Sequence, residues 1–302
     1  MNPLCTYQDQ IAHALAANRP VVALETTLVT HGLPHPEGVR TACLLEDVVR
    51  RGGATPATIA IIAGAIRVGL THAELEELAT TPNVTKVNLS NLAAVLSSGH
   101  PGSTTVAATM FAAHASGIRV FATGGMGGVH RDAGESGDVS ADLTALARIP
   151  IAVVSAGAKA ILDLPRTVEM LETLGVPVFG LGTDEFPAFY RRSTGLSVDR
   201  RFDSIAELAS AVRVHLSLGF GTGVLVANPI PIADELPSHL YDRAIHTALS
   251  DADAGRIRGR ALTPFLLERM RVLTGGESVR ANLALLRNNA KVAADLARAL
   301  VC

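Results

Sequence analysis

Three groups of polar residues stand where α/β proteins do chemistry: Lys159, Glu25, and the cluster Asp138, Ser140 and Asp142. Lys159 lies in Ser155-Ala156-Gly157-Ala158-Lys159-Ala160, a small-residue turn after the apolar run Ile151 to Val154. A lysine held partly out of water at a strand-to-helix joint loses its preference for the charged form. Its free amine can then attack a carbonyl, which is Schiff-base chemistry. The plainer alternative is an ordinary lysine near a helix start. Glu25 ends the apolar run Pro20 to Leu24 and precedes Thr26-Thr27, so it is placed for general acid or base work, or as a satisfied edge carboxylate. Within Asp138-Val139-Ser140-Ala141-Asp142, either Asp138 or Ser140 suits a helix N-cap. Asp138 also suits a hard divalent cation, Mn²⁺ or Mg²⁺, with water completing the shell. Zinc is disfavoured, because no second carboxylate or histidine stands at tight ligand spacing.

Other polar positions are less specific. The run Thr123-Gly124-Gly125-Met126-Gly127-Gly128-Val129-His130-Arg131 follows a strand pattern, and its glycines would let backbone N–H groups approach a phosphate. It is not a P-loop, since no Lys-Ser/Thr follows. Lys86 ends a short extended segment and can pair with a phosphate. Asn228 and Asn282 can offer amides to a sugar or base, and each taken singly is more often structural.

The elements that must position these groups alternate along the chain. Strands are predicted over 20–24, 57–62, 66–70, 118–122, 151–154, 176–180 and 223–227, the second and third as a hairpin across Ala63-Gly64-Ala65. Helices are predicted over 36–51, 104–115, 141–148, 158–174, 205–216, 237–251, 264–274 and 278–300. This βα alternation predicts a layered α/β fold with helices on both faces of a sheet. No linker or repeat divides it, so a single domain over 1–302 is expected, with 194–203 as its most flexible segment.

Composition narrows the function classes. Hydrophobic residues are 48% and charged residues 18%, which supports a large core. A net charge of -2 and an aromatic content of 4%, with no Trp, argue against nucleic acid as a partner. Cys5, Cys43 and Cys302 are far apart and form no CxxC, which suggests a reducing, cytoplasmic setting. The segment MNPLCTYQDQ does not read as a signal peptide, and no apolar run is long enough to predict a membrane span.

Taken together, several segments resemble the pseudouridine-5'-phosphate glycosidase family. They are ALETTLVTHGLPHP (23–36), ATPATIAII (54–62), TTVAATM (104–110), GIRVFATGGMGGVHR (117–131), DVSADL (138–143), AVVSAGAKAILDL (152–164), MLETLGVP (170–177), VLVANPIP (224–231) and TPFLLERMRVLTGGES (263–278). The resemblance runs in order from about residue 7 to the C-terminus. It implies a three-layer α/β/α sandwich around a mixed sheet, assembled as a homotrimer. It also implies cleavage or formation of the C–C bond between C1' of ribose 5-phosphate and a base. Carried over by motif, Lys159 is the Schiff-base nucleophile, Glu25 the general acid and Asp138 the Mn²⁺ ligand. Ser140, Ala141, Asp142, Lys86 and Val106 contact substrate, and the loop with Thr123 and His130 helps to cradle the phosphate or sugar.

The chain departs from the family pattern at several points. A Lys-Val/Cys-Ser-Arg-Arg-Asp segment becomes Lys86-Val87-Asn88-Leu89-Ser90-Asn91, and an aromatic before the metal-site aspartate becomes Gly137. The family's Pro-Gln-Asn becomes Pro36-Glu37-Gly38. Loss of groups that read a polar base weakens discrimination for it. The expected aglycone is therefore shifted from uracil toward a larger aromatic, as in the branch that attaches ribose to polyketides in alnumycin-type antibiotic biosynthesis. Uracil release, a class I aldolase reaction and a non-catalytic sugar-phosphate sensor are the alternatives.

Overall fold

Among residues 3–257 and 262–301, which the computed structural model describes, eleven strands join one mixed sheet. They are β1 (Cys5–Tyr7), β2 (Val21–Leu24), β3 (Thr55–Ile62), β4 (Ala65–Val68), β5 (Thr85–Val87), β6 (Gly102–Thr104), β7 (Val120–Ala122), β8 (Ala152–Ser155), β9 (Val178–Leu181), β10 (Arg200–Phe202) and β11 (Val224–Ala227). The main order is β1-β4-β3-β2-β7-β8-β11-β9-β10, with β6 pairing β3 and β5. From β3 through β2 to β10 every neighbour is parallel, whereas β3 meets β4 and β6 antiparallel.

The central strands VVAL, VFA, AVVS and VLVA are buried at every residue. Continuous apolar runs of this kind are what a parallel sheet covered on both faces requires. By contrast β10, Arg200-Arg201-Phe202, is charged and exposed, as suits an edge strand. The predicted hairpin is present: Ile62 pairs Ala65 across Ala63 (φ 50°) and Gly64 (φ 77°). Both turn residues take the left-handed conformation that a two-residue hairpin turn needs.

The helices are α1 (Asp9–Ala16), α2 (Glu37–Arg51), α3 (His72–Thr80), α4 (Leu92–Ser98), α5 (Val106–Ala115), α6 (Ala133–Ser136), α7 (Ala141–Leu146), α8 (Leu164–Thr173), α9 (Ile205–Ser217), α10 (Ser238–Ala254), α11 (Leu262–Leu273) and α12 (Glu277–Val301). The long α12 packs across β2, β7 and β8 and against α2 and α9, whereas α5 and α7 pack together. The three-layer expectation holds, with helices flanking the mixed sheet. Among the described residues no helix is long and apolar enough to cross a membrane.

Two local expectations need correction. The helix predicted from 158 starts only at Leu164, where Asp163 caps it and Pro165 fills its first turn. Lys159 therefore lies in the irregular segment before the helix, with its N–H bonded to the Met126 carbonyl at 3.0 Å. Within the segment 194–203, expected to be the most flexible, residues 200–202 form β10 and pair with 179–181 of β9. Three-residue strands and short helices account for most of the other unpredicted elements. Cys302 lies outside the described residues.

Candidate active site

The carboxyl ends of the parallel strands β2, β7, β8 and β11 lie side by side, and the chain leaves them at Glu25, Thr123, Ala156 and Asn228. Open α/β sheets bind ligands at such ends. Here a cavity of about 820 Å³ is lined by both Glu25 and Lys159. Lys86, Val106, His130, Asp138, Ser140, Ala141 and Asp142 share its wall. Nine of the expected residues are thus brought together.

Glu25 is the electrostatic centre of this cavity. Glu25 is half-buried at the cavity wall, and partial removal of its carboxyl from water pushes its pKa above the usual carboxylate value. The charge on Lys159 is the strongest counter-effect. Thr123 Oγ1 also favours ionisation by donating to Glu25 Oε1 at 2.5 Å, whereas the Asp142 charge opposes it. Burial prevails, so this carboxyl gives up its proton less readily than a free one. Thr123 is itself buried behind Glu25 and does not line the cavity, so its contact is with the acid.

Asp142 has a structural part that sequence reasoning missed. It is 6% exposed. Oδ1 accepts from the Ala107 N–H at 3.0 Å, and Oδ2 accepts from the Gly127 N–H at 2.8 Å. One carboxylate thereby ties the start of α5 to the glycine loop. Ser140 caps α7, accepting from the Asp142 N–H at 3.2 Å.

The glycine loop reaches the cavity wall at Gly127 and His130, and part of its backbone is engaged within the protein. Its amides at Met126, Gly127, Val129 and His130 are bonded to Gly157, Asp142, Thr167 and Asp138. The glycines are needed for close packing. A Cβ on Gly125 would meet the Phe189 ring at 2.6 Å, and one on Gly127 would collide with the Ser140 side chain. His130 and Asp138 are paired by a short antiparallel bridge between Val129 and Val139, which closes residues 130–138 into a flap carrying α6. His130 Nε2 lies 3.9 Å from Asp138 Oδ2. Gly137 has φ 68° with open space around it, so glycine before Asp138 serves a left-handed turn.

The altered segment after Lys86 is also internally satisfied. Asn91 accepts from the Asn88 N–H at 2.7 Å and donates to the Lys86 carbonyl at 3.1 Å. Asn282 falls elsewhere, in a second cavity of about 300 Å³ with His31 and Tyr190. Burial and nearby Lys86 hold the His31 pKa low. Asp138 keeps 37% of its side chain exposed, which fits one protein oxygen on a water-rich cation. Among the described residues no three His, Cys, Asp or Glu side chains form a metal cluster.

Fold and cavity together define the class: an α/β enzyme scaffold carrying an acid and an amine at the carboxyl ends of parallel strands. The chain belongs to the indigoidine synthase A like family, whose pattern matches residues 10–299. It is 53% identical over 299 residues to a pseudouridine-5'-phosphate glycosidase of Methylobacterium nodulans, covering 99% of this chain and 89% of the relative. It is 50% identical over 297 residues to one of Caldanaerobacter subterraneus, covering 98% and 97%. Among solved structures, the prealnumycin C-glycosynthase AlnA in complex with ribulose 5-phosphate superimposes with a TM-score of 0.92 at 39% identity, covering 100% of this chain and 98% of that one. An indigoidine synthase A-like protein of Thermotoga maritima gives 0.88 at 34%, covering 99% and 97%. The resemblance seen in the motifs is borne out.

Proposed function

We propose that this chain makes or breaks the C–C bond between C1' of ribose 5-phosphate and a carbon nucleophile. Lys159 is the covalent nucleophile and Glu25 the general acid. The observation that carries this reading is a carboxyl pushed toward its neutral form in the same cavity as a lysine. A C-glycoside has no oxygen between sugar and base, so the usual paired-carboxylate route has no foothold.

In cleavage, Glu25 gives its proton to the ring oxygen as the C1'–O bond breaks and the Lys159 amine bonds to C1'. The nitrogen lone pair then expels the base. The C1'–C bond breaks with its electrons going to the base carbon, which takes up a proton. Water adds to the resulting iminium, freeing the aldehyde and the amine. The sum is pseudouridine 5'-phosphate plus water giving uracil and ribose 5-phosphate. Lys86 meets the phosphate charge. Asp138 would hold Mn²⁺ or Mg²⁺, which supplies further positive charge against the phosphate.

Uracil is the aglycone best supported. The relatives at 50–53% identity are named for pseudouridine 5'-phosphate. Gly137 and the Asn88–Asn91 segment also have local structural reasons that need no altered aglycone. C-ribosylation of an aromatic polyketide is the second reading, supported by the likeness to AlnA and by the roomy cavity. Exposed Val214, Leu218 and Phe220 support assembly with further copies, the trimer of the expectation. The free Cys5 and Cys43 support a reducing, cytoplasmic setting.

One experiment tests chemistry and aglycone together. The protein is incubated with pseudouridine 5'-phosphate, and separately with ribose 5-phosphate, Mn²⁺ and either uracil or an electron-rich polycyclic phenol. Uracil release and borohydride trapping of a sugar phosphate on Lys159 are expected, and both should vanish in Lys159→Ala. Near-normal turnover by that variant would sink the imine. Product with the phenol but not with uracil would move the assignment to C-ribosylation.

A further inference from the structure

The buried stripe of α12 is built of Ala281, Leu285, Ala290, Ala293, Ala294 and Ala297, and it contains one fully buried amide, Asn289. An asparagine at a mid-helix core position is costly unless its amide is bonded on both sides. Here both sides are engaged. Asn289 Oδ1 accepts from Asn228 Nδ2 at 2.8 Å. Its Nδ2 donates to the carbonyls of Thr123 at 2.8 Å and Gly124 at 3.3 Å. The Asn228 N–H is in turn bonded to the Ser155 carbonyl at 2.9 Å.

These bonds join the carboxyl ends of β7 and β11 to a single side chain, and the Asn228 backbone carries the connection on to the end of β8 between them. Thr123 is the first residue beyond β7. Its carbonyl is held by Asn289, and its hydroxyl donates to Glu25 Oε1 at 2.5 Å. With Oε1 occupied as an acceptor, the proton of the neutral acid belongs on Oε2. That is the oxygen left to give it to a substrate.

We infer that Asn289, braced by Asn228, is a positioning residue for the acid Glu25: by pinning the Thr123 peptide it keeps the Thr123 hydroxyl on Oε1 and leaves the transferable proton on Oε2. The inference rests on the reading of Glu25 as the acid. No other polar residue of the α12 stripe reaches Thr123 among the described hydrogen bonds. The charged groups facing Glu25 are Lys159, Asp142 and Lys86, and none of them is bonded to Asn289.

The test compares Asn289→Ala, Thr123→Val, their double variant and Thr123→Ser. The readouts are kcat and KM with pseudouridine 5'-phosphate across pH, and borohydride trapping of ribose 5-phosphate. Asn289→Ala is expected to lower kcat roughly 10-fold to 100-fold with KM nearly unchanged, the scale of misplacing an acid. Activity needs protonated Glu25 and falls as pH rises. Loss of the Thr123 hydrogen bond removes a stabiliser of the ionised form, so this basic limb should move to higher pH in both single variants. The double variant should be no worse than the worse single, because both act through one hydroxyl, and Thr123→Ser should restore the limb. If Asn289→Ala does not fold, Asn228→Ala reports on the same brace. Additive losses, or a basic limb unmoved in folded variants, would overturn the inference. Failure of the parent protein to trap ribose 5-phosphate would instead overturn the underlying reading.

Discussion

Asp142→Asn is the substitution that tests most of this site at once. In the parent protein a buried carboxylate accepts two backbone N–H groups, at 3.0 Å from Ala107 and 2.8 Å from Gly127. Hydrogen bonds to charged groups contribute about 1.5–3 kcal/mol each. The amide keeps one acceptor oxygen but turns an NH₂ toward the other N–H. One charge-assisted bond is lost, and the other weakens to a neutral one of about 1 kcal/mol. The net cost is about 2–5 kcal/mol. For a chain of this size that is a fall of roughly 3–8 °C in thermal midpoint, using an unfolding entropy of about 2.1 cal/mol/K per residue. Calorimetry at fixed protein concentration measures it. The same change removes a negative charge that opposes ionisation of Glu25, so the basic limb of the pH profile should move to lower pH. That is opposite to the movement expected for Thr123→Val. A midpoint within 1 °C of the parent (about 0.6 kcal/mol on the same scale) together with an unmoved limb would refute both the hydrogen-bond account and the electrostatic one.

Two further outcomes follow from burial at the site. Glu25 binds a proton in the fold that the unfolded chain has already released, because its folded pKa is raised. Stability should therefore decline as pH rises from the ordinary carboxylate range through the raised value. Glu25→Gln should flatten that decline in urea titrations while abolishing uracil release, and an equally steep decline in the variant would count against a raised Glu25. Gly127→Ala should lose about 1–3 kcal/mol by overpacking against Ser140. Gly137→Ala meets no neighbour and should lose less, through its positive φ alone. Equal thermal midpoints for these two variants would contradict the packing account of the glycine loop.

Much of the site was legible because its residues follow apolar runs. Glu25 comes directly after the all-buried β2, and Lys159 comes four residues beyond the end of the all-buried β8, within reach of the strand-end rule. The error over the start of α8 has a local cause. The apolar pattern of 158–174 runs without a break, and it hid a cap-and-proline signal at Asp163 and Pro165. A capping box was present in the sequence at Thr71 and Glu74, and it marks α3. The strands β5 and β6 are too short to carry a period of two. The four glycines of the loop signal close approach without saying to what, and close neighbours here include Phe189, Ser140 and Thr167. Asn289 was readable in retrospect: it occupies the stripe position between Leu285 and Ala293, where a polar residue must find partners.

The distances along the chain between the joined groups carry a consequence for folding. Thr123 and Glu25 are 98 residues apart, Asn289 and Asn228 are 61 apart, and Asn289 and Thr123 are 166 apart. None of these pairings can form early from local sequence, and parallel strands close only after long loops have been ordered. On the proposed reading of Glu25 as the acid and Asn289 as its brace, a chain in which α12 has not docked carries the Lys159 amine without a braced proton donor. Trapping of sugar phosphate on Lys159 would then serve as a clock for the last event of folding, lagging behind the recovery of helical signal in a refolding experiment.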